Sequence, residues 1–265
     1  MIKLAANLSM QFNELPFIER FGAAAAAGFK GVEYLFPYVE PAARIRDELT
    51  KHDLQQVLFN TPAGDWNAGD RGTAGNPDRI AECREGIDLA VEYAVALKCP
   101  HIHLMSGIKP AAHDLKTCLA TVVSNAQYAA DAAAKHGVKV LIEAINSKVD
   151  MPGYVVDGSA VALDVIDRAG RENLRFQFDI YHMQIMEGDL ARSIERLLPR
   201  IAHIQLADNP GRHEPGTGEI NYEWLLSKIE ALGYGGWIGC EYRPAGETLA
   251  GLGWARKYLR STEKV

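Results

Sequence analysis

The segment KVLIEAI (139–145) is an apolar, strand-like run that carries one acid, Glu143, near its carboxyl end. The same arrangement returns in three later segments: LRFQFDI (174–180), IAHIQLA (201–207) and WIGCEYR (237–243). Their oxygen-bearing residues are Asp179, Gln205 and Glu241, so the four positions are 36, 26 and 36 residues apart. Such intervals match successive strand–helix units of a barrel, whose strands end at one common face. The repetition therefore predicts one shared site.

Four further strand-like segments precede these: KLAAN (3–7), GVEYLF (31–36), LQQVLFN (54–60) and HIHLMSG (101–107). Helical patterns separate the strands, and several of them end on a glycine, as expected at a helix C-cap. No linker-like segment interrupts the alternation. The sequence predicts an α/β chain folded as a single (β/α)8 TIM barrel over residues 1–265. A doubly wound open sheet remains an alternative, although no GxGxxG motif follows the first strand.

The composition indicates an ordinary globular chain of 265 residues, 48% hydrophobic and 23% charged. The formal net charge is −6 and acids and bases are interspersed, which argues against a nucleic-acid-binding surface. The four cysteines form no CxxC pair, and no apolar run approaches the length of a membrane span. We therefore expect a cytoplasmic protein with reduced thiols and neither membrane nor nucleic acid as a partner.

The four repeated positions have the ligand chemistry of a hard divalent cation. Three carboxylates and one amide offer only oxygen atoms, which suits Mg²⁺, or Mn²⁺, better than Zn²⁺. Each lies within an apolar run, where an unpaired carboxylate is expensive to bury. Glu143 and Glu241 also suggest an acid/base pair that moves a proton between two carbons through an enediolate. This reaction class is a hypothesis drawn from the ligand type.

Five other residues are candidates for substrate binding. His182 follows Asp179 by three residues, and Arg212 lies in the Gly/Pro-rich loop 207–222, directly after Gln205. Loop 60–72 is long enough to act as a lid and contains Trp66 and Arg71, while Asn7 ends the first strand. The arginines suit an anionic substrate group. His101 and His103 have no carboxylate nearby in the sequence and are interpreted as barrel packing.

The chain resembles the hydroxypyruvate isomerase family, within the xylose-isomerase-like barrels. The resemblance covers nearly the whole length and is carried by these segments: AANLSM (5–10), GVEYLFPY (31–38), NTPAGDWNAGDRG (60–72), DIYHMQ (179–184), ADNPGRHEPGTGEINY (207–222) and GWIGCEY (236–242). It implies a (β/α)8 barrel in glyoxylate and sugar-acid metabolism that interconverts hydroxypyruvate and tartronate semialdehyde. It also implies a metal site at Glu143, Asp179, Gln205 and Glu241. The implied proton-transfer pair is Glu143 and Glu241.

Several alternatives remain open at this point. A sister group similar to this one isomerises 2-oxo-tetronates, and related ketose epimerases usually have His where this chain has Gln205. An abasic-site endonuclease of the same superfamily would need several Zn²⁺ ions, many histidines and a basic surface, which the sequence does not favour. A non-catalytic protein that binds sugar acids is the fourth reading. The expected partner is a small sugar-acid molecule, and a homo-oligomer is possible.

Overall fold

Eight parallel strands close into a barrel in a computed structural model, which describes residues 1–259. Each strand pairs with the next one in the chain, and the last pairs with the first. The strands are β1 (Lys3–Asn7), β2 (Gly31–Glu33), β3 (Gln55–Asn60), β4 (His101–His103), β5 (Lys139–Glu143), β6 (Leu174–Asp179), β7 (Ile201–Leu206) and β8 (Trp237–Cys240). The predicted (β/α)8 barrel is confirmed, and the open sheet is excluded.

Helices follow the strands and cover the outside of the barrel. They are α1 (Glu19–Ala26), α2 (Ala42–Lys51), α3 (Ile80–Leu97), α4 (Leu115–Ala134), α5 (Ser159–Ala169), α6 (Ile180–Met186), α7 (Leu190–Leu197), α8 (Tyr222–Ala231), α9 (Thr248–Gly251) and α10 (Arg256–Leu259). Three short 3₁₀ helices lie at Pro77–Arg79, Leu198–Arg200 and Leu252–Ala255.

Three strands end three or more residues before their apolar segments predict. Strand β2 ends at Glu33, β4 at His103 and β8 at Cys240, so the residues that follow belong to loops at the carboxyl rim. Glu241 therefore comes directly after its strand instead of inside it. Because these loops leave the hydrogen-bonded sheet early, they are free to fold over the barrel mouth, where active sites of this fold lie.

Apolar residues alternate between two separate clusters along the strands. Leu4, Ala6, Val140 and Ile142 belong to the large cluster that binds the helices to the sheet. Their neighbours Ala5 and Leu141 belong to a small cluster that also contains Val57, Leu58 and Trp237. Since successive strand residues point to opposite faces, the small cluster fills the barrel interior. It forms a packed floor beneath the polar residues nearer the carboxyl rim.

The cysteines and the helices bear on two predictions from the composition. All four cysteines are buried and unpaired with one another, as expected for thiols. Within residues 1–259, none of the helices is long and apolar enough to cross a bilayer.

Candidate active site

A cavity of about 260 Å³ opens at the carboxyl ends of the strands. Its walls include Glu143 and Glu241 and four of the predicted substrate-binding residues: Trp66, Arg71, His182 and Arg212. The remaining lining residues are Met10, Leu35, Asn60, His103, Met105, Ile145, Asp150, Met151 and Arg243. Side chains from both long loops and from the ends of β3, β4, β5 and β8 thus converge on one space.

Three buried carboxylates form the centre of the site. Glu143 and Asp179 approach His182 closely enough that one ligand atom from each of the three lies within 4.8 Å of the others. Burial raises the pKa of Glu143 well above its ordinary value, and the neighbouring Glu241 and Asp179 raise it further. Burial also raises the pKa of Asp179 and, more strongly, that of Glu241, although Arg212 opposes both shifts. Without a cation, the cluster therefore favours the protonated acids.

The donor set fits a divalent cation. Glu143 Oε1 and Asp179 Oδ2 are buried and accept no hydrogen bond from any residue in the range 1–259. An unpaired buried carboxylate oxygen costs several kcal/mol of desolvation, on the order of the ionic penalties seen in protein interiors. A cation bound between these two oxygens would offset that cost. Carboxylate donors are those that Mg²⁺ and Mn²⁺ prefer, so the predicted divalent metal site is compatible with the geometry.

Asp179 is held rigidly because it also begins helix α6. Its Oδ1 accepts hydrogen bonds from the backbone N–H groups of Tyr181, at 2.7 Å, and of His182, at 3.2 Å. This is the standard N-cap interaction, and it directs Oδ2 away from the helix. The same cap places His182 on the first turn, with its Nε2 3.8 Å from both Asp179 Oδ2 and Glu143 Oε1. Burial, together with Arg212, lowers the pKa of His182 well below its ordinary value, so the ring is neutral.

Arg212 is the buried cation of the site. Its guanidinium lies 3.2 Å from Asp150 Oδ1 and 3.6 Å from Glu241 Oε2, and it stacks over the ring of Tyr181 at 5.0 Å. Burial alone would lower the pKa of Arg212, but Glu241, Asp179 and Asp150 raise it above its ordinary value. The arginine is thus permanently charged and directly neutralises part of the carboxylate cluster.

Asp208 organises the loop that presents Arg212. This fully buried carboxylate accepts hydrogen bonds from the backbone N–H groups of Asn209, Gly216, Gly218 and Ile220. The backbone of Asp208 also pairs with Arg212 and His213. Arg212 itself has a φ of 55°, in the left-handed region that is strained for a residue with a side chain. The loop predicted as a turn segment is therefore a compact scaffold closed around one carboxylate.

Gln205 and Asn7 belong to a polar network next to the cavity, where neither residue forms part of the lining. Gln205 is paired with Asp179 in the sheet, but its Nε2 donates to Glu33 Oε1 at 2.9 Å and its Oε1 accepts from Gln177 at 2.5 Å. Asn7 donates to the same Glu33 oxygen at 3.0 Å. Asn7 is not among the lining residues and its amide donates to Glu33, so substrate binding by Asn7 stays a prediction. The Gln205 oxygen keeps a second lone pair, so metal ligation by this residue stays a prediction.

Trp66 and Arg71 pack against each other at the cavity mouth. The Arg71 guanidinium stacks 4.0 Å from the Trp66 ring and donates to the backbone oxygens of Trp66 and Asp70. Trp66 also contacts Phe36, with ring centroids 5.5 Å apart. Arg71 remains half-buried and lines the cavity, and only its Nη1 donates to the protein in these two bonds.

Residues without a predicted role in the site also line the cavity, among them His103 and Arg243. The sequence shows no carboxylate near His103 and favours packing, yet in the fold its Nδ1 lies 3.4 Å from Glu143 Oε2. Burial lowers the pKa of His103 to about 3, so this ring is neutral as well. Its position at the end of β4, beside the strand of Glu143, is the signal that would have identified it. Arg243, two residues after Glu241, is an exposed second cation at the cavity mouth.

Known proteins resemble this chain over its whole length. The family model described as xylose isomerase-like TIM barrel matches residues 21–260. A 2-oxo-tetronate isomerase of Cupriavidus necator is 51% identical over 98% of this chain and 99% of its own length. A hydroxypyruvate isomerase of Escherichia coli is 46% identical over 97% of this chain and 100% of its own.

Solved structures show the same architecture. A protein named AP endonuclease, family 2, from Brucella melitensis superimposes with a TM-score of 0.95 at 50% identity, covering 97% of this chain and 99% of that one. A 3-keto-D-glucoside 4-epimerase from Escherichia coli superimposes with a TM-score of 0.81 at 19% identity, covering 96% of this chain and 100% of that one. The second similarity concerns the fold alone.

Proposed function

The chain belongs to the xylose isomerase-like TIM barrels, in the group of hydroxypyruvate and 2-oxo-tetronate isomerases, and from this we propose that it interconverts hydroxypyruvate and tartronate semialdehyde. One observation carries the proposal: two buried glutamates, Glu143 and Glu241, line the same small cavity and both have strongly raised pKa values. An isomerisation that moves one proton between adjacent carbons needs a base and an acid at the two ends of that bond.

The proton transfer balances with this pair alone. One glutamate, as carboxylate, takes a proton from C3 of hydroxypyruvate, and the electrons of that bond form a cis-enediolate. The other, in its protonated form, delivers a proton to C2, while the C3 hydroxyl proton moves to the C2 oxygen. The product is the aldehyde. After one turnover the first glutamate is protonated and the second is ionised, and exchange of one proton with solvent water at each restores their starting states.

The cofactor of the proposal is a divalent cation, Mg²⁺ by the chemistry of its ligands or else Mn²⁺. Glu143, Asp179, Glu241 and the Gln205 oxygen would hold it, and it would supply charge stabilisation to the enediolate when bound. The His182 Nε2 and the Arg212 guanidinium lie beside the same carboxylates and are available to bind the substrate oxygens. Desolvated donors of this kind stabilise a developing negative charge more strongly than water does.

The substrate carboxylate requires a cation of its own. Arg212 already pairs with Asp150 and Glu241, whereas Arg71 and Arg243 line the cavity mouth with N–H groups to spare. We assign the carboxylate of the substrate to these two arginines. A guanidinium binds a carboxylate through two parallel hydrogen bonds, which would fix the C2–C3 bond between the glutamates.

A second candidate substrate is a 2-oxo-tetronate, one carbon longer. The observation that favours it is the identity of 46–51% to three proteins named 2-oxo-tetronate isomerase. Met10, Met105 and Met151 line the cavity, and the flexible thioether side chain adapts to ligands of different length. The chemistry at C2 and C3 would be the same for both acids.

The test is a kinetic comparison of the two acids with purified protein and Mg²⁺, followed by proton NMR. The proposal expects turnover of hydroxypyruvate, and a kcat/KM at least as high as that for the 2-oxo-tetronate. A clear preference for the longer acid would assign the chain to the second candidate. Turnover of neither acid, in protein that binds Mg²⁺, would contradict both. A duplex with one abasic site and a neutral ketose serve as controls and are expected to remain unchanged.

A further inference from the structure

Asn146 is a fully buried amide three residues after Glu143, at the carboxyl end of β5. Its Oδ1 accepts two backbone hydrogen bonds, from Val149 at 3.0 Å and from Asp150 at 2.9 Å. Because only the oxygen of an amide accepts, these two bonds determine which end of the side chain is oxygen and which is nitrogen. The Nδ2 group therefore faces the opposite direction, toward the active site.

The Nδ2 group of Asn146 contacts two partners. It donates to Asp150 Oδ2 at 2.6 Å and lies 2.7 Å from His182 Nδ1. An amide NH₂ has two protons and no available lone pair, so the ring nitrogen opposite it must be the acceptor. A proton on His182 Nδ1 would place two donors 2.7 Å apart. The ring proton of the neutral His182 consequently lies on Nε2.

This tautomer makes the ring nitrogen of His182 that faces the cavity a hydrogen-bond donor. Nε2 is the ring atom that faces Glu143 Oε1 and Asp179 Oδ2, each at 3.8 Å. By distance alone, His182 completes a group of three potential metal ligands with these acids. A nitrogen that carries a proton has no lone pair for a cation, however, and the hydrogen bond made by the other ring nitrogen commonly selects the tautomer of an active-site histidine.

We propose that Asn146 is a positioning residue that holds His182 as the Nε2–H tautomer, so that His182 donates a hydrogen bond to a substrate oxygen and does not coordinate the metal. The identity of that oxygen, the one that becomes negative in the enediolate, rests on the proposed isomerase function. The assignment of the tautomer does not rest on it. Asp150 supports the arrangement, because it accepts from Asn146 through Oδ2 and from Arg212 through Oδ1.

The first experiment is long-range ¹H–¹⁵N NMR of metal-free protein labelled with ¹⁵N-histidine. The signals of His182 are assigned as those lost in His182→Gln. The expected pattern is an unprotonated Nδ1 and a protonated Nε2. A His182 that carries its proton on Nδ1 would overturn the proposal, whatever the protein catalyses, so this outcome is separate from a failure of the isomerase assay.

The second experiment exchanges the amide and the acid. The double variant Asn146→Asp/Asp150→Asn keeps the net charge and still has one hydrogen-bond donor and one acceptor between positions 146 and 150. It places an acceptor, in place of the amide donor, opposite His182 Nδ1. We expect the His182 proton to move to Nδ1, so that Zn²⁺ alone shifts the Nε2 signal to a metal-bound position. Wild type and Asp150→Asn, the matched control, should keep Nε2–H and show no such shift. A double variant with the wild-type pattern would contradict the role of Asn146.

Discussion

Glu143 Oε1 and Asp179 Oδ2 each lie 3.8 Å from His182 Nε2, and neither oxygen accepts a hydrogen bond from another residue in the described chain. Both atoms are buried, and Glu241 lies close enough to raise the pKa of Glu143 further. Three carboxylates are thus compressed beside a single guanidinium, that of Arg212. This arrangement lowers the stability of the metal-free protein.

The stability of the metal-free protein should depend on pH in a defined direction. Glu143, Asp179 and Glu241 all have a higher pKa in the folded than in the unfolded chain. The folded state then binds more protons, so the free energy of unfolding decreases as pH rises above the ordinary carboxyl value toward the raised values. Thermal unfolding between pH 4 and 8 with EDTA should show this decrease. Mg²⁺ should restore stability, and by more at the higher pH; a stabilisation independent of pH would count against a carboxylate-held cation.

Arg71 and Arg243 should act on substrate binding more than on chemistry. Replacing either with Gln removes a charge-assisted contact to the substrate carboxylate, worth about 1.5–3 kcal/mol, so KM should rise about 10- to 150-fold with a smaller change in kcat. Arg192→Gln, on the exposed surface of α7, is the matched control and should leave both constants unchanged. An unaltered KM in both Arg71→Gln and Arg243→Gln would contradict the assignment of the substrate carboxylate to these two arginines.

Asp208 should be essential to the loop that presents Arg212. Asp208→Ala removes the acceptor of four backbone N–H groups. Because hydrogen bonds to a charged group each contribute a few kcal/mol at most, we expect the free energy of unfolding to fall by about 2–4 kcal/mol. Asp208→Asn keeps one acceptor oxygen and should lose less. Chemical denaturation measures both, and kcat should fall in the same order because Arg212 is released. Equal stability of wild type and Asp208→Ala would show that the hydrogen bonds to Asp208 do not stabilise the loop.

Glu33 should influence the metal through Gln205. Its two oxygens accept from Asn7, His203 and Gln205, all of them buried. Glu33→Ala leaves the Gln205 amide without its partner, and loss of such an outer contact typically weakens metal affinity about 10- to 100-fold. Titration with Mn²⁺, followed by electron paramagnetic resonance, checks this, with the conservative Glu33→Gln as the milder comparison. Unchanged Mn²⁺ affinity in Glu33→Ala would indicate that Gln205 is not a ligand.

Sequence patterns predicted the barrel and much of its site because both depend on local periodicity. An acid at the end of an apolar strand-like segment can be recognised from the sequence alone, as Glu143, Asp179 and Glu241 illustrate. Their convergence follows from the topology of parallel strands, which the alternation of strands and helices already indicates. The positions of Arg212 and His182 followed from their proximity to those strand ends.

Two residues without a predicted role, His103 and Asn146, owe their positions to neighbours distant in the sequence. His103 at the end of β4 contacts Glu143 at the end of the neighbouring strand β5, and Asn146 contacts His182, 36 residues away. The direction of the Gln205 amide depends on Glu33, which is 172 residues away in the chain. No periodicity encodes such pairings, since an isolated Asn or Glu is compatible with a surface loop as well as with a buried hydrogen bond.

The central claim is that Glu143 and Glu241 carry the proton at the two ends of one carbon–carbon bond. Its most direct test is proton NMR of hydroxypyruvate in D₂O with Mg²⁺ and each single variant, Glu143→Gln and Glu241→Gln. We predict a loss of isomerisation of about 10²- to 10⁴-fold in both, as expected when a general acid or base is removed. We also predict that only one of the two still exchanges the C3 protons for deuterium, which identifies the base. Isomerisation at the wild-type rate in either folded variant would contradict the account.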